Sequence, residues 1–270
     1  MSDTASWREK TLDHVIHQPI LKDSRSTAGT FLGWPKQDIF HDVIQGGQAN
    51  FDSAIGKLTG DDKALLYAKY NQPGHLTELD SAFTQLLKNQ GQIIQPYIFD
   101  IGCGPFTAGL SLAQTIGPGR IIHYYGIDLY KSMRELAGKL VNTAKSFNGI
   151  NNASTFSFFE SLSDVPTPQG VRNNAKIFIA SYLLSSNTLD VNDLANSISN
   201  ASRNFGAGPS FLLYTNSSNP YAARNYPAFK TALEREDFEC AVEDHSCIHH
   251  MNRERKLHYA LFYKKDNFRV

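Results

Sequence analysis

From residue 93 onward the chain alternates apolar runs of strand length with helical stretches, and this alternation limits the folds open to it. The runs are IIQPYIFDI (93–101), RIIHYYGID (120–128), TFSFFE (155–160), AKIFIASYLL (175–184), PSFLLYTN (209–216), DFECAVE (237–243) and LHYALFYKK (257–265). Between most of them lie PFTAGLSLAQTI, SMRELAGKLVNTAKSF, VNDLANSISNASRNF and ARNYPAFKTALERE, which read as helices. Strands apolar on both faces, interleaved with helices, predict a mostly parallel sheet covered on both sides. No long helix separates the last two runs, so they are expected as an antiparallel hairpin at one sheet edge. The expected fold is α/β, with seven strands ending in that reversal.

The chemistry concentrates at residues 98–107, IFDIGCGPFT: a buried strand, an acidic residue, Gly-x-Gly and a helix start. Gly102 and Gly104 allow a sharp turn and let a ligand approach the backbone closely. Asp100, at the strand's end, can accept hydrogen bonds or face a cation. The next strand ends in GID, which puts Asp128 at the carboxyl edge of a neighbouring strand, where a carboxylate can hold both hydroxyls of a ribose. A nucleoside-containing cofactor is expected there. A dinucleotide fingerprint would need a third small residue three places after the second glycine, where this chain has Thr107. The charge of Asp100 would also repel a pyrophosphate, whereas it suits an ammonium.

DIGCGPFT resembles the glycine-rich first motif of class I S-adenosylmethionine-dependent methyltransferases, and the seven-strand layout with its final reversed hairpin is similar to theirs over residues 93–265. The resemblance implies a Rossmann-like methyltransferase domain, 93–270, with S-adenosyl-L-methionine as cofactor. It implies that Asp100, Ile101, Gly102, Cys103, Gly104 and Pro105 hold the methionyl portion. Asp128, with Leu129 next to it, would take the ribose, and Glu160 or Ser161 would contact the adenine. Ser181 and Tyr182, after the fourth strand, would line the methyl-transfer face. The expected function is methyl transfer to an RNA, a small molecule or a protein. The alternative is a catalytically silent module that binds the cofactor or its demethylated product. No catalytic residue is assigned. The Asp/Asn-Pro-Pro-Tyr/Phe string of amino-adenine and amino-cytosine methyltransferases is missing after strand four, which reads Ala180-Ser181-Tyr182-Leu183. Cytosine-C5 chemistry needs a thiolate near the methyl group, and Cys103, Cys240 and Cys247 are badly placed for that.

Residues 1–92 are expected to form a helical extension that acts as a lid or substrate-recognition element. WREKTLDHVIHQPIL (7–21) reads as a helix ended near Pro19, and DIFHDVI (38–44) as a short helical segment stopped by Gly46-Gly47. NFDSAIGKL (50–58) adds a turn or two. DDKALLYAKY (61–70) and HLTELDSAFTQLLKNQG (75–91) read as two helices separated by a break at Asn71–Gly74, with Gly91 ending the second. Tyr67, Tyr70, Asn71 and His75 surround that break. They are candidates either to touch the methionyl group or substrate, or simply to pack against the core.

Composition removes whole classes. The chain has 270 residues, Lys plus Arg 26 and Asp plus Glu 26, so no global charge grips a nucleic acid. Three scattered cysteines make no disulfide framework. The N-terminus lacks the apolar stretch of a signal peptide, and no apolar run approaches the roughly 20 residues that cross a bilayer. A reducing, cytoplasmic setting is the expectation. Two polar clusters stay open. FECAVEDHSCIHH gathers Cys240, His245, Cys247, His249 and His250, but its spacings match no common zinc site, and it reads as a polar hairpin loop. Arg253, Arg255 and Lys256, with Lys264 and Lys265, could hold an RNA backbone or simply be a solvated face.

Overall fold

The computed structural model describes residues 5–87, 95–168, 173–186, 188–250 and 253–265, without the side chains of His250 and Arg253. The chain opens with α1, Trp7–Leu12, whose first turn is closed by a capping box between Ser6 and Glu9. Pro19 does not end this helix. The backbone widens into a π-turn over Asp13–His17 and continues as α2, Gln18–Lys22. The Gln18 N–H reaches back to the Asp13 carbonyl, five residues away, and Pro19 falls at the start of the next helical segment, where a missing N–H costs little. A two-residue hairpin follows, β1 Thr30–Phe31 against β2 Trp34–Pro35, then a π-turn at Ile39–Val43.

The expected break at Asn71–Gly74 is absent. One helix, α3, runs over Gly60–Leu87 with Pro73 inside it. Tertiary contacts override the local signal at this point. Gln72 donates from Nε2 to the Pro105 carbonyl at 2.9 Å, and the Arg255 guanidinium lies where a Cβ on Gly74 would be, 2.6 Å from its Nη1. The end expected at Gly91 lies outside the described residues.

The main sheet has seven strands: β3 Tyr97–Ile101, β4 His123–Ile127, β5 Thr155–Phe159, β6 Lys176–Ser181, β7 Ser210–Ser217, β8 Glu239–His250 and β9 Arg253–Lys264. Their order is β5-β4-β3-β6-β7-β9-β8. The first five are parallel, and β9 enters antiparallel between β7 and β8. The expected final hairpin is present, but it is longer than its apolar run. FECAVEDHSCIHH is strand rather than polar loop, because its backbone pairs with β9 as far as His250↔Arg253, past a bulge at Cys240/Val242. Helices α4 Thr107–Ile116, α5 Lys131–Ser146, α6 Val191–Asn204 and α7 Tyr226–Arg235 cover the sheet.

Side chains alternate across a strand, and this sorts the core into two layers. Tyr97, Phe99, Ile101 and Phe178 pack on the side of α6 and α7. Ile98, Ile177 and Ile179 pack on the side of α3, α4 and α5, where they share one core with Ile16, Ile39 and Phe51 of the N-terminal segment. By the same alternation Asp100 and Ser181 belong to the α3 side. The N-terminal segment also supplies a cap: Asp52 accepts from the Lys131 and Ser132 N–H groups, each at 2.9 Å, at the start of α5.

Candidate functional site

The turn after β3 is bent by three residues with positive φ: Gly102 at 73°, Gly104 at 49° and Phe106 at 63°. Such angles cost little only for glycine, and Phe106 is held in place by complete burial against Tyr124. The turn is tied to β4: Gly102 and Cys103 N–H donate to the Ile127 carbonyl at 2.8 and 3.0 Å. Asp128 then clamps it, accepting from Gly104 N–H on Oδ2 and from Tyr130 N–H on Oδ1, both at 2.9 Å. Arg134 donates to the Leu129 carbonyl at 2.9 Å and faces Glu160 at 3.6 Å.

The two carboxylates flank this turn in unlike surroundings. Asp100 is buried and accepts from the Tyr124 hydroxyl. Burial pushes its pKa up to about 7, with Asp128's charge adding to the rise and the Tyr124 bond opposing it. Asp128 is also raised by burial, but its two backbone donors and Arg134 pull it back.

One cleft gathers Tyr67, His75, Asp100, Gly102–Pro105, Ser181 and Tyr182. Its far wall is α3. Tyr67 stands over the glycine turn in hydrogen-bonding contact with Asn71, its hydroxyl pushed up to about 12 by burial and by Asp128. Two turns on, His75 stacks on Tyr182 with ring centroids 3.9 Å apart at 15°. Burial and then Arg255 lower His75 to about 3, so its ring is neutral. Tyr182 leaves β6 with φ of 58°, and its hydroxyl donates to Glu78. Glu78 also accepts from Arg255 Nε on β9. Ser181 accepts from Thr215 at 2.9 Å.

The structure therefore brings together Asp100, Gly102, Gly104, Pro105, Asp128, Ser181, Tyr182, Tyr67 and Asn71. Ile101 and Cys103 lie in the turn with their side chains buried, so they offer a ligand only backbone. Leu129 is 63% exposed beside Asp128. Glu160 is exposed, and Ser161 caps the turn at Leu162–Asp164. Tyr70 is not brought to the cleft: its hydroxyl donates to the Lys36 carbonyl at 2.9 Å. The basic cluster is dispersed. Arg255 turns inward to Glu78, and Lys264 is buried and bonded to the Glu236 carbonyl at 2.6 Å; Lys256 stays exposed. The side chain of Arg253 lies outside the described residues. No group of three or more His, Cys, Asp or Glu residues suited to a metal occurs among the described residues.

Sequence reasoning missed Glu78, Gln72, Tyr124 and Arg134. Glu78 had a signal: Tyr67, Asn71, His75 and Glu78 follow one another at helical spacing. The break expected at Asn71–Gly74 split that stripe between two helices and hid it.

No protein-family model and no curated protein matches the chain. Solved structures do. Magnesium protoporphyrin IX methyltransferase from Synechocystis, with bound SAM, is 17% identical over 83% of this chain and 93% of its own, with a TM-score of 0.46. A SAM-dependent methyltransferase from Leishmania major is 11% identical over 94% and 82%, at 0.46. A putative methyltransferase complexed with the Trm112 activator of Haloferax volcanii is 11% identical over 75% and 96%, at 0.47. The deciding feature is the strand order itself, with β9 reversed between β7 and β8. The fold is a Rossmann-like α/β sheet with the seven-strand layout and final reversal expected from the sequence. Among the described residues no helix is long and apolar enough to cross a membrane.

Proposed function

We propose that the protein transfers a methyl group from S-adenosylmethionine to an acceptor that enters beside Tyr182. The observation that carries this reading is the pair of carboxylates, Asp100 and Asp128, set on either side of the Gly102–Gly104 turn at the carboxyl ends of adjacent parallel strands. The residues present suit the cofactor. The two glycines leave the cleft floor without side chains. Asp100 matches an ammonium, Asp128 matches ribose hydroxyls, and exposed Leu129 offers an apolar face for adenine with Glu160 and Ser161 at its edge. S-adenosylmethionine supplies a methyl group on a sulfonium, which leaves by in-line displacement.

The protein's work is alignment and exclusion of water. Asp128 fixes the glycine turn through the Gly104 N–H, so the floor is shaped before a ligand arrives. Tyr67, Asn71 and His75 on α3 close the side facing the N-terminal segment, which we assign the role of lid and acceptor wall. Ser181 and Tyr182 line the end at which the acceptor approaches.

The test is turnover with isotope-labelled S-adenosylmethionine and an extract of the source organism, fractionated into RNA, protein and small molecules. Label is expected in one fraction. Binding without any transfer would instead make the protein a cofactor-binding module, and calorimetry showing preference for NADH over S-adenosylhomocysteine would overturn the cofactor reading.

A further inference from the structure

A polar chain that the cofactor reading leaves unused leads away from the cleft wall. It runs from the Tyr182 hydroxyl to the Glu78 carboxylate and on to the Arg255 guanidinium. Three elements supply it: the end of β6, the middle of α3 and the start of β9. Glu78 has a side chain 2% exposed, and Arg255 is 36% exposed. A carboxylate this deep in a helix is costly unless it is paired and bonded. The groups that face it are Tyr182, Arg255 and, one turn earlier on α3, neutral His75, stacked on the Tyr182 ring. The ring is fixed by that stack and by an uncommon left-handed backbone at Tyr182. Tyr182 thus lines the cleft with its hydroxyl proton already directed toward Glu78.

We propose that Tyr182 and Glu78 form a proton relay serving an acceptor whose nucleophile is a neutral O–H or N–H. This rests on the reading that S-adenosylmethionine binds in the same cleft. The acceptor's proton passes to the Tyr182 oxygen while the Tyr182 proton passes to Glu78. The acceptor's freed electron pair forms the new bond to the methyl carbon, and the carbon–sulfur bond breaks with its pair remaining on sulfur. The sulfonium charge and the Glu78 charge disappear together, so a neutral thioether, a neutral product and a protonated Glu78 remain. Burial raises Glu78 above the ordinary glutamate value, which makes it a better proton acceptor, while the bond and charge of Arg255 oppose that rise and favour the ionised form. Tyr182 is the residue that touches the acceptor, and Glu78 acts through it. A carboxylate or thiolate acceptor would need no such relay, having no proton to lose.

The relay predicts the product's chemistry as well as the rates. With labelled S-adenosylmethionine and extract, the label should be stable to mild alkali, as a methyl ether or N-methyl group. An alkali-labile methyl ester or a methyl thioether as the product overturns the proposal. Glu78→Gln and Tyr182→Phe should each lower turnover on the order of 100-fold, with S-adenosylhomocysteine affinity unchanged within about threefold. Tyr182→Phe keeps the stack and the Glu78–Arg255 pair, so it answers the question even if Glu78→Gln folds poorly. The rate of wild type should level off above the Glu78 ionisation, whereas Tyr182→Phe should keep rising with pH as hydroxide takes over. A readout that needs no turnover is an infrared titration of the resting protein: one carboxylate band, absent in Glu78→Gln, should titrate above the ordinary glutamate range. Unchanged turnover in Tyr182→Phe, or a Glu78 band titrating below that range, overturns the relay and leaves the cofactor reading intact. Failure of the wild-type protein to bind S-adenosylhomocysteine overturns that reading and the relay with it.

Discussion

Asp128 has two duties, and a substitution there tests both. Each of its oxygens accepts a backbone N–H, one from the glycine turn and one from Tyr130. Asp128→Ala should weaken S-adenosylmethionine and S-adenosylhomocysteine alike by roughly 10- to 150-fold, the loss expected for charge-assisted bonds worth about 1.5–3 kcal/mol. It should also lower the unfolding midpoint, because two donors lose their acceptor; calorimetric titration and denaturation read the two effects separately. Asp100 answers differently to pH. Its folded pKa is raised from an ordinary 3.8 to about 7. A raised acid stabilises the native state while protonated, so that contribution is complete below the unfolded value and is lost as pH climbs from about 4 to about 7. Urea midpoints of the ligand-free protein at pH 5 and pH 8 should differ in favour of pH 5, and Asp100→Asn should shrink that difference. The same variant should weaken S-adenosylmethionine while largely sparing methylthioadenosine, which lacks the amino acid portion; equal losses would mean that Asp100 only shapes the turn. Both aspartates were legible in the sequence because strand, acid and glycine are neighbours along the chain. Tyr124 was not, because it meets Asp100 only across the fold, and the helical stripe that carries Glu78 was hidden by the break expected at Asn71–Gly74.

At the scale of elements, α3 shows what local signals omit. NQPG is a strong turn string, since proline removes a helical hydrogen bond and glycine loosens the backbone. The helix persists because Gln72 is bonded to the glycine turn and because Gly74 makes room for the Arg255 guanidinium. Gly74→Ala should therefore destabilise the protein, by about 1–3 kcal/mol, although alanine is the better helix former. In a free peptide of α3 the same change should raise helicity. Opposite signs in denaturation of the protein and circular dichroism of the peptide would confirm that tertiary fit decides; the same sign in both would refute it. The strands were legible from their apolar runs, apart from the far half of β8. DHSCIHH is polar because it lies along an exposed sheet edge, where pairing to β9 rather than burial makes the strand.

The whole molecule is joined across its middle. Phe51 packs edge-on against Tyr67 and Tyr130, and Asp52 caps α5 from the N-terminal side. Asp52→Ala should cost about 0.5–2 kcal/mol, the usual worth of a cap, as measured by chemical denaturation. Deleting residues 1–60 should go further and broaden or abolish the cooperative unfolding transition, because it strips apolar cover from α3 and α5. A truncated chain that melts as sharply and as high as the full one would show the extension to be an independent unit. The Glu78–Arg255 pair spans 177 residues of chain, and β9, which follows β8 in the chain, lies inside the sheet rather than at its rim. During synthesis β8 emerges before the strand it must pair with, and Glu78 waits, without its cation, for 177 residues. Contacts this distant in sequence form late and slowly. The order of assembly is thus written into the topology: five parallel strands can settle first, and Glu78 gains its cation only when β9 slots between β7 and β8. A product cut short near residue 250 would lack β9, leaving β7 and β8 without the strand that joins them and Glu78 without Arg255, so its exposed strand edges would mark it as unfinished.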